Sequence, residues 1–272
     1  MPTMPNPIYT PDNCTIGGEL KWGLSVFWRN AVHDAPWLDD ITAAVIADRI
    51  EVRKHHFAQP GVSQFQLRTP SDISPYTIVQ RVKGRLQYLV RSQMPKPFKK
   101  NYALRSIGYV KREIIERYVA NQTTPHQMAD EDVQRRFTRF QIHQPEVDLS
   151  QPQKTSHALY WYNLHLTMVH ERRWTEIREE VVEQVRDMIL NVSRARGHLL
   201  SRGAILSDHI HLALGCPLEV APSEIACCYL NNLAYVHDMK PVFQFGAHLR
   251  TFSEYDLGAV QGAEPGHGSR SD

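Results

Sequence analysis

The sequence lacks the features of a membrane or secreted protein. No apolar run reaches the roughly 18 residues that would predict a membrane-spanning helix. The Pro-rich residues 1–15 show no charged-then-apolar leader pattern. The four cysteines, Cys14, Cys216, Cys227 and Cys228, form no CxxC pair, which favours reduced thiols over a disulfide or zinc framework. These absences predict a cytoplasmic protein that does not associate with membranes.

Several common catalytic signatures are also missing. The sequence contains no Walker loop, no GxGxxG and no GxSxG. Nucleotide hydrolases and serine hydrolases therefore have no support. The length of 272 residues and the 42% hydrophobic content still allow a sizeable buried core in one large or two ordinary domains.

Positive charge is concentrated in one stretch, although the net charge of the chain is only +2. Residues 76–117 hold eleven Lys or Arg and two acids, a net charge of +9, so the rest of the chain carries −7. Such a stripe predicts a polyanionic partner, and the alternative interpretation is a solvated helix face.

The chain has two similar halves. Each begins with an apolar, aromatic strand, at 20–28 and 158–169, followed by a helix of 3.6-residue spacing that runs to Ile50 in the first half and to Val192 in the second. A polar–apolar–polar strand follows, with Gln64-Phe65-Gln66 in the first half aligned with His209-Ile210-His211 in the second. A helix with Pro near its start and a final strand, 102–108 or 241–251, complete each half.

This repeated order predicts an α+β fold of two tandem ferredoxin-like antiparallel sheets with helices on one face, arranged as an intrachain pseudo-dimer. The expected segments are an N-terminal extension (1–18), a first half (19–122), a linker with a short helix at 130–140 (123–157), a second half (158–256) and a disordered tail (257–272).

Two short motifs suggest chemistry. His209 and His211 point to the same face of a strand and could both bind a divalent ion, although two half-buried polar residues are the simpler interpretation of this triplet alone. Tyr118 and Gln122 lie four residues apart on a predicted helix. A tyrosine can attack phosphorus and a Gln oxygen suits Mg²⁺ or Mn²⁺, whereas simple packing and helix capping explain either residue alone.

Together these motifs resemble the one-tyrosine HUH transposases of the insertion-sequence and REP-associated types. Ser207–Leu214 looks like their HUH strand, residues 78–85 like the helix that follows it, and residues 102–108 with 118–122 like their last strand and tyrosine helix. The resemblance spans roughly residues 20–256. It implies metal-dependent nicking and rejoining of single-stranded, hairpin-forming DNA through a 5′-phosphotyrosine.

Each half departs from the family pattern in a complementary way. The first half keeps Tyr118 and Gln122 but lacks the His pair, and the second keeps His209 and His211 but shows no Tyr-x-x-x-Gln helix. We therefore expect one composite site in a monomeric pseudo-dimer, with further assembly left open. The metal, Mg²⁺ or Mn²⁺, would be held by His209, His211 and Gln122, and the DNA by Arg81, Lys83, Arg85, Lys99 and Lys100.

Other interpretations stay open at this point. The chain could be a transposase-derived module that binds hairpin DNA or a protein without catalysis, or a nuclease that uses water. Tyr255 is the remaining nucleophile if the second half acts alone. His165 is expected to be packed, with a supporting role possible, and His55-His56 to lie at a helix end. Tyr160, Trp161 and Tyr162 could stack bases, although some are expected to fill the core.

Overall fold

Two six-stranded sheets organise the chain, one for each half. The computed structural model describes residues 6–18, 20–123 and 131–254. Elements through the first half are β1 (Thr15–Gly17), β2 (Leu20–Trp28), α1 (Leu38–Ile46), β3 (Glu51–Gln59), β4 (Val62–Thr69), α2 (Pro75–Val90), β5 (Phe98–Ile107) and α3 (Arg112–Ala120).

The second half repeats the order of strands and helices of the first half, and a linker precedes it. The linker holds α4 (Glu131–Thr138), β6 (Ile142–His143), β7 (Gln153–Lys154) and β8 (Ala158–Trp161). The second half holds β9 (Asn163–Val169), α5 (Glu179–Arg196), β10 (Leu199–Ile205), β11 (His209–Gly215), α6 (Pro222–Val236) and β12 (Gly246–Phe252), with one 3₁₀ turn at Glu171–Arg173.

The strand order confirms the predicted ferredoxin-like α+β fold. The first sheet runs β3-β4-β2-β5-β8-β7, and the second runs β1-β12-β9-β11-β10-β6. Within each sheet the four strands of the half itself are all antiparallel, in the same order, and the two helices between them cover one face. The short strands β1, β6, β7 and β8 extend the edges of the sheets.

The hydrophobic pattern explains these elements. In β2 every second side chain is buried, from Leu20 through Trp22 and Leu24 to Trp28, so this strand turns one face to the core and the other outward. Helix α2 begins where Ser74 caps it, since the hydroxyl of Ser74 accepts the backbone N–H of Thr77, and Pro75 occupies the first helical position.

The two halves exchange edge strands. Strand β1, just before the first half, pairs in parallel with β12 of the second half. Strand β8, just before the second half, pairs in parallel with β5 of the first. The single strand predicted at 158–169 is therefore two strands in different sheets. This exchange ties the halves together by main-chain hydrogen bonds.

Side-chain hydrogen bonds at the junction are reciprocal. Ser106 Oγ donates to the carbonyl oxygen of Phe252 at 2.6 Å, and Thr251 Oγ1 donates to that of Ile107 at 2.6 Å. Each hydroxyl comes from the last strand of one half and reaches the last strand of the other. The halves are thus related by an approximate two-fold axis, as expected for an intrachain pseudo-dimer.

The same symmetry fixes which residues correspond. The N–H of Lys21 donates to Thr251, and the N–H of Asn163 donates to Ser106, so Lys21 corresponds to Asn163 and Ser25 to Thr167. Gln64 lies opposite Ser25, and His211 lies opposite Thr167. Gln64 therefore corresponds to His211.

The alignment made from the sequence was accordingly wrong by two residues. Val62, not Gln64, takes the place of His209, and Gln66 takes the place of Ala213. The spacing to the helix agrees, because eleven residue steps lead from Gln64 to Pro75 and eleven from His211 to Pro222. The first half still lacks the histidine pair.

Other local predictions need correction. His55 and His56 lie within β3, not at a helix end, and α1 stops at Ile46 because Arg49 takes a left-handed backbone conformation with φ of 58°. The last strand begins at Gly246 rather than Pro241. The predicted linker helix is present as α4. Tyr255, the tail at 257–272 and the first five residues lie outside the described residues.

The four cysteines are unpaired, as predicted. Among the described residues, no helix has the length and apolarity needed to cross a membrane.

Candidate active site

Helix α3 leaves the first half and packs on the second sheet. Ile115 and Val119, one turn apart on α3, are buried against Ala204 of β10 and Ala213 of β11, together with Phe252. Small residues on the strands allow the helix to approach closely. The start of α3 is held by the N–H of Arg112, which donates to the carbonyl oxygen of Ser253 at 2.7 Å, and by ion pairs of Arg112 with Glu116 and Glu254.

This packing brings Tyr118 of the first half over the histidines of the second. The Tyr118 ring centroid lies 5.5 Å from that of His211 and 5.8 Å from that of His165, and both contacts are edge-to-face. Tyr118 is 47% exposed, whereas His211 is 5% exposed. The tyrosine is thus accessible to a solvent-borne molecule while it contacts a buried imidazole.

His209 and His211 lie on the same face of β11, with ring centroids 4.9 Å apart. His209 Nδ1 is 2.6 Å from Asp208 Oδ1, and Arg173 donates to the other carboxylate oxygen at 3.0 Å. Burial alone would raise the pKa of Asp208, but its hydrogen bonds and the charges of His209 and Arg173 hold the pKa below the usual value. The carboxylate therefore favours a proton on His209 Nδ1.

His211 is held through its Nδ1 as well. This nitrogen lies 3.1 Å from His165 Nε2 and 3.0 Å from Thr167 Oγ1, and the His165 and His211 rings are nearly parallel. Burial lowers the pKa of His165 to about 4, with a further contribution from Arg250, so His165 is neutral at physiological pH. Both members of the histidine pair thus use Nδ1 for protein contacts, which makes Nε2 the nitrogen suited to a metal.

An open cavity of about 470 Å³ lies between α3 and the sheet. Tyr118, His165, Thr167 and His211 line it, and it is bounded further by Val110, Ile114, Ile115, His248 and Arg250. An adjoining cavity of about 740 Å³ shares four of these residues and adds Lys21 and Tyr109. The combined cleft carries the cationic side chains of Lys21 and Arg250 and two exposed phenols, Tyr109 and Tyr118.

Gln122 lies just beyond the end of α3 rather than within it. Its side chain is almost fully buried, and its amide nitrogen donates to the carbonyl oxygen of Tyr118 at 3.0 Å. The contact places Gln122 one turn beyond Tyr118, as the spacing predicts. Its role as a metal ligand stays a prediction.

The basic residues predicted to bind DNA lie elsewhere, on α2 and at the start of β5. Arg81 and Arg85 form ion pairs with Asp48 at 3.7 and 3.0 Å. Lys83 Nζ donates to the carbonyl oxygens of Lys99 and Lys100 at 3.1 and 3.2 Å. Three of the five cations thus contribute to the structure of the first half, and their binding to DNA stays a prediction.

Several cleft residues were not predicted from the sequence. Each strand at the cleft carries a polar–apolar–polar triplet, namely His165-Leu166-Thr167 on β9, His209-Ile210-His211 on β11 and His248-Leu249-Arg250 on β12. Only the second of these was singled out. The shared pattern was the available signal for Thr167, His248 and Arg250. Of the aromatics proposed to stack bases, Tyr160 and Tyr162 are buried in the core, while Trp161 is only half-buried.

A ferredoxin-like sheet with a histidine pair on one strand and a tyrosine helix across its face defines the class of site. Residues 158–232 match the family described as "Transposase IS200 like", over just over a quarter of the chain. The second half is thus similar to IS200-like transposases over this segment of the chain, and the resemblance inferred from the motifs is confirmed there. No curated protein sequence matches it significantly.

Two solved structures are similar to parts of the chain. A protein of Deinococcus radiodurans assigned as a transposase is 16% identical, with a TM-score of 0.34, over 40% of this chain and 94% of that one. A REP-associated tyrosine transposase, solved bound to a REP hairpin, is 14% identical, with a TM-score of 0.30, over 37% of this chain and 61% of that one.

Proposed function

We propose that this protein nicks and rejoins single-stranded DNA through a covalent tyrosine intermediate, in one composite site built from both halves. The observation that carries the proposal is the position of Tyr118, which belongs to the first half but lies 5.5 Å, ring to ring, from His211 of the second. The IS200-like segment supplies one part of this site and the helix packed on it supplies the other.

The donor set fits a divalent ion such as Mg²⁺ or Mn²⁺. His209 and His211 would bind through Nε2, since Asp208, His165 and Thr167 occupy their Nδ1 atoms. Gln122 would add an amide oxygen. Among the described residues, no cluster of three His, Cys, Asp or Glu is present, so phosphate oxygens of the DNA would have to complete the coordination.

Tyr118 supplies the nucleophile in the proposed reaction. The phenolic oxygen of Tyr118 attacks phosphorus and forms a bond to the 5′ phosphate, while the bond from phosphorus to the 3′ oxygen breaks. The phenol loses its proton, and the departing 3′ oxygen takes one up to become a hydroxyl. A bound metal would withdraw charge from the phosphate. Reversal with the same or another 3′ hydroxyl rejoins strands.

The cleft suits the backbone of a DNA strand. Lys21 and Arg250 line the two adjoining cavities, and their positive charges would attract phosphate groups. Lys21 Nζ also lies 3.4 Å from the centroid of the Tyr109 ring, which positions that ammonium at the cleft. The exposed Lys99 and Lys100 would extend binding along the first half. We propose that the reaction takes place in the cytoplasm and that the protein acts as a monomer.

The test is formation of a covalent protein–DNA adduct. Fluorescently labelled hairpin DNA with single-stranded flanks is incubated with the protein and Mn²⁺, and adducts are resolved on denaturing gels and mapped by mass spectrometry. We expect an adduct on Tyr118 that is absent in Tyr118→Phe and in EDTA. Tyr88→Phe is the matched control, because Tyr88 is 61% exposed on α2.

The other outcomes identify other functions. Cleavage without an adduct would indicate a nuclease that uses water. Binding without cleavage or adduct would indicate a transposase-derived binding module. Either result would overturn the proposed tyrosine chemistry.

A further inference from the structure

The first half has a cavity at the place that corresponds to the histidine cleft of the second. It measures about 190 Å³ and lies on the outward face of β4, β2 and β5. Gln64 stands where the second half has His211, Gln66 where it has Ala213, and Arg105 where it has Arg250. An amide thus stands here in place of the imidazole of His211, a second amide is added at Gln66, and the arginine is kept. We propose that this cavity binds a single nucleobase of single-stranded nucleic acid.

One wall of the cavity is a stacked pair of planar groups. The guanidinium carbon of Arg105 lies 4.2 Å from the centroid of the Trp161 ring. Trp161 is fixed in turn, because its Nε1 donates to the carbonyl oxygen of Ser150 at 2.7 Å. Flat surfaces of Arg and aromatic side chains are the ones on which unpaired bases stack. The positive charge also suits the adjoining phosphate.

The opposite wall presents side-chain amides. Gln66 Nε2 is buried, and no hydrogen-bond acceptor lies within reach among the described residues. Gln64 Nε2 donates only a long hydrogen bond, 3.3 Å, to Ser25 Oγ. A buried donor without an acceptor is unfavourable, and a base supplies carbonyl oxygens and ring nitrogens that would accept from it. A carboxamide can pair with the amino and ring-nitrogen edge of adenine in two parallel hydrogen bonds.

The volume of the cavity suits one nucleobase. Its volume lies below the roughly 300–1,000 Å³ of pockets that enclose drug-sized ligands. Gly23 contributes to the available space, since it occupies the position at which the second half has His165. A base would fit, with its sugar and phosphate outside beside Arg105. Because neither Tyr118 nor a metal takes part, this proposal stands independently of the proposed cleavage reaction.

The test uses the full chain labelled with 5-fluorotryptophan, in EDTA, and ¹⁹F NMR. Of five tryptophan resonances, that of Trp161 is assigned from Trp161→Phe. Titration with the tetranucleotide dA₄ should shift the Trp161 resonance saturably, and an abasic tetramer of equal charge should not shift it. Gln66→Leu should weaken dA₄ binding about tenfold or more, because it removes the buried amide donor.

Control variants separate this site from the rest of the protein. Gln244→Leu makes the same substitution at an exposed position and should leave binding unchanged. The other four resonances report whether Gln66→Leu is folded. The proposal is overturned if Trp161 does not respond to dA₄, if the abasic tetramer shifts it equally, or if folded Gln66→Leu binds as the parent does.

Discussion

Strands β4 and β11 occupy equivalent places in the two sheets, but their surroundings differ. In β4 buried and partly exposed side chains alternate, whereas all seven residues of β11 are buried. The difference arises because α3 crosses from the first half and covers the outward face of the second sheet. Covering that face creates the cleft with Tyr118. The lesson is that a duplicated fold can specialise its halves through the placement of one helix.

The largest expected difference between the halves concerns metal-dependent cleavage. His211→Ala should reduce adduct formation at least a hundredfold, because it removes one of two imidazole ligands and the ring beside Tyr118. Adduct yield over time at saturating Mn²⁺ is the measurement. His157→Ala, an exposed histidine, is the control. An equal loss of adduct in both variants would show that His211 has no specific role.

The stability of the protein should respond differently to a leucine on the covered face and to a leucine on the open face. Ala213 is fully buried beneath α3, so Ala213→Leu should overpack the contact and lower the free energy of unfolding by about 1–3 kcal/mol. Gln66 is the corresponding residue of the open face, and Gln66→Leu should not lower this free energy, because it removes a buried amide donor that has no acceptor among the described residues. Urea unfolding followed by circular dichroism compares the two. Similar losses would contradict the assigned difference in covering.

The contact between Asp208 and His209 should affect metal affinity rather than folding. Asp208→Asn keeps the size of the side chain but removes the charge that favours a proton on His209 Nδ1. We expect Mn²⁺ affinity to fall about 10- to 100-fold, measured by electron paramagnetic resonance titration. Asp187→Asn serves as the comparison, because the side chain of Asp187 on α5 is exposed. An unchanged Mn²⁺ affinity would exclude Asp208 as a positioning residue.

The smallest effect tests the acid sensitivity of the first half. Burial lowers the pKa of His55 to about 4, among the rings of Trp37, Phe57 and Phe65. The folded state therefore binds fewer protons than the unfolded state between about pH 6.5 and 4, so stability is full above that window and falls as the pH drops through it.

Replacing this histidine by an apolar ring should remove the penalty. His55→Phe should gain about 1 kcal/mol at pH 5 relative to its effect at pH 7, a value reduced because the ring is only partly desolvated. Thermal unfolding at the two pH values is the measurement. A variant whose relative stability does not depend on pH would show that His55 is not the responsible group.

The repeated order of strands and helices could be predicted from the sequence because apolar periodicity encodes local structure directly. The exchange of β1 and β8 could not, since only the neighbouring half decides which sheet a short strand joins. The strand alignment failed for a related reason. Gln64-Phe65-Gln66 imitates His209-Ile210-His211 in pattern, but the backbone pairing sets the register two residues away.

The candidate site was predictable where complementary losses pointed to it. Tyr118 and His211 were expected to meet because each half kept what the other lacked, and the structure places them in contact. The contacts of His165, Thr167 and Asp208 with the pair depend on side-chain geometry across strands, which spacing alone does not give. The cations of the cleft, Lys21 on β2 and Arg250 on β12, likewise lie outside the basic stretch at 76–117.

The central claim is that Tyr118 and the histidine pair act together within one chain. The most direct measurement compares adduct formation by the parent protein, by Tyr118→Phe, by His211→Ala, and by an equimolar mixture of the two variants. We predict an adduct with the parent protein and none in the other three samples, because each variant chain carries an incomplete site. An adduct formed by the mixture, or by Tyr118→Phe alone, would contradict the claim.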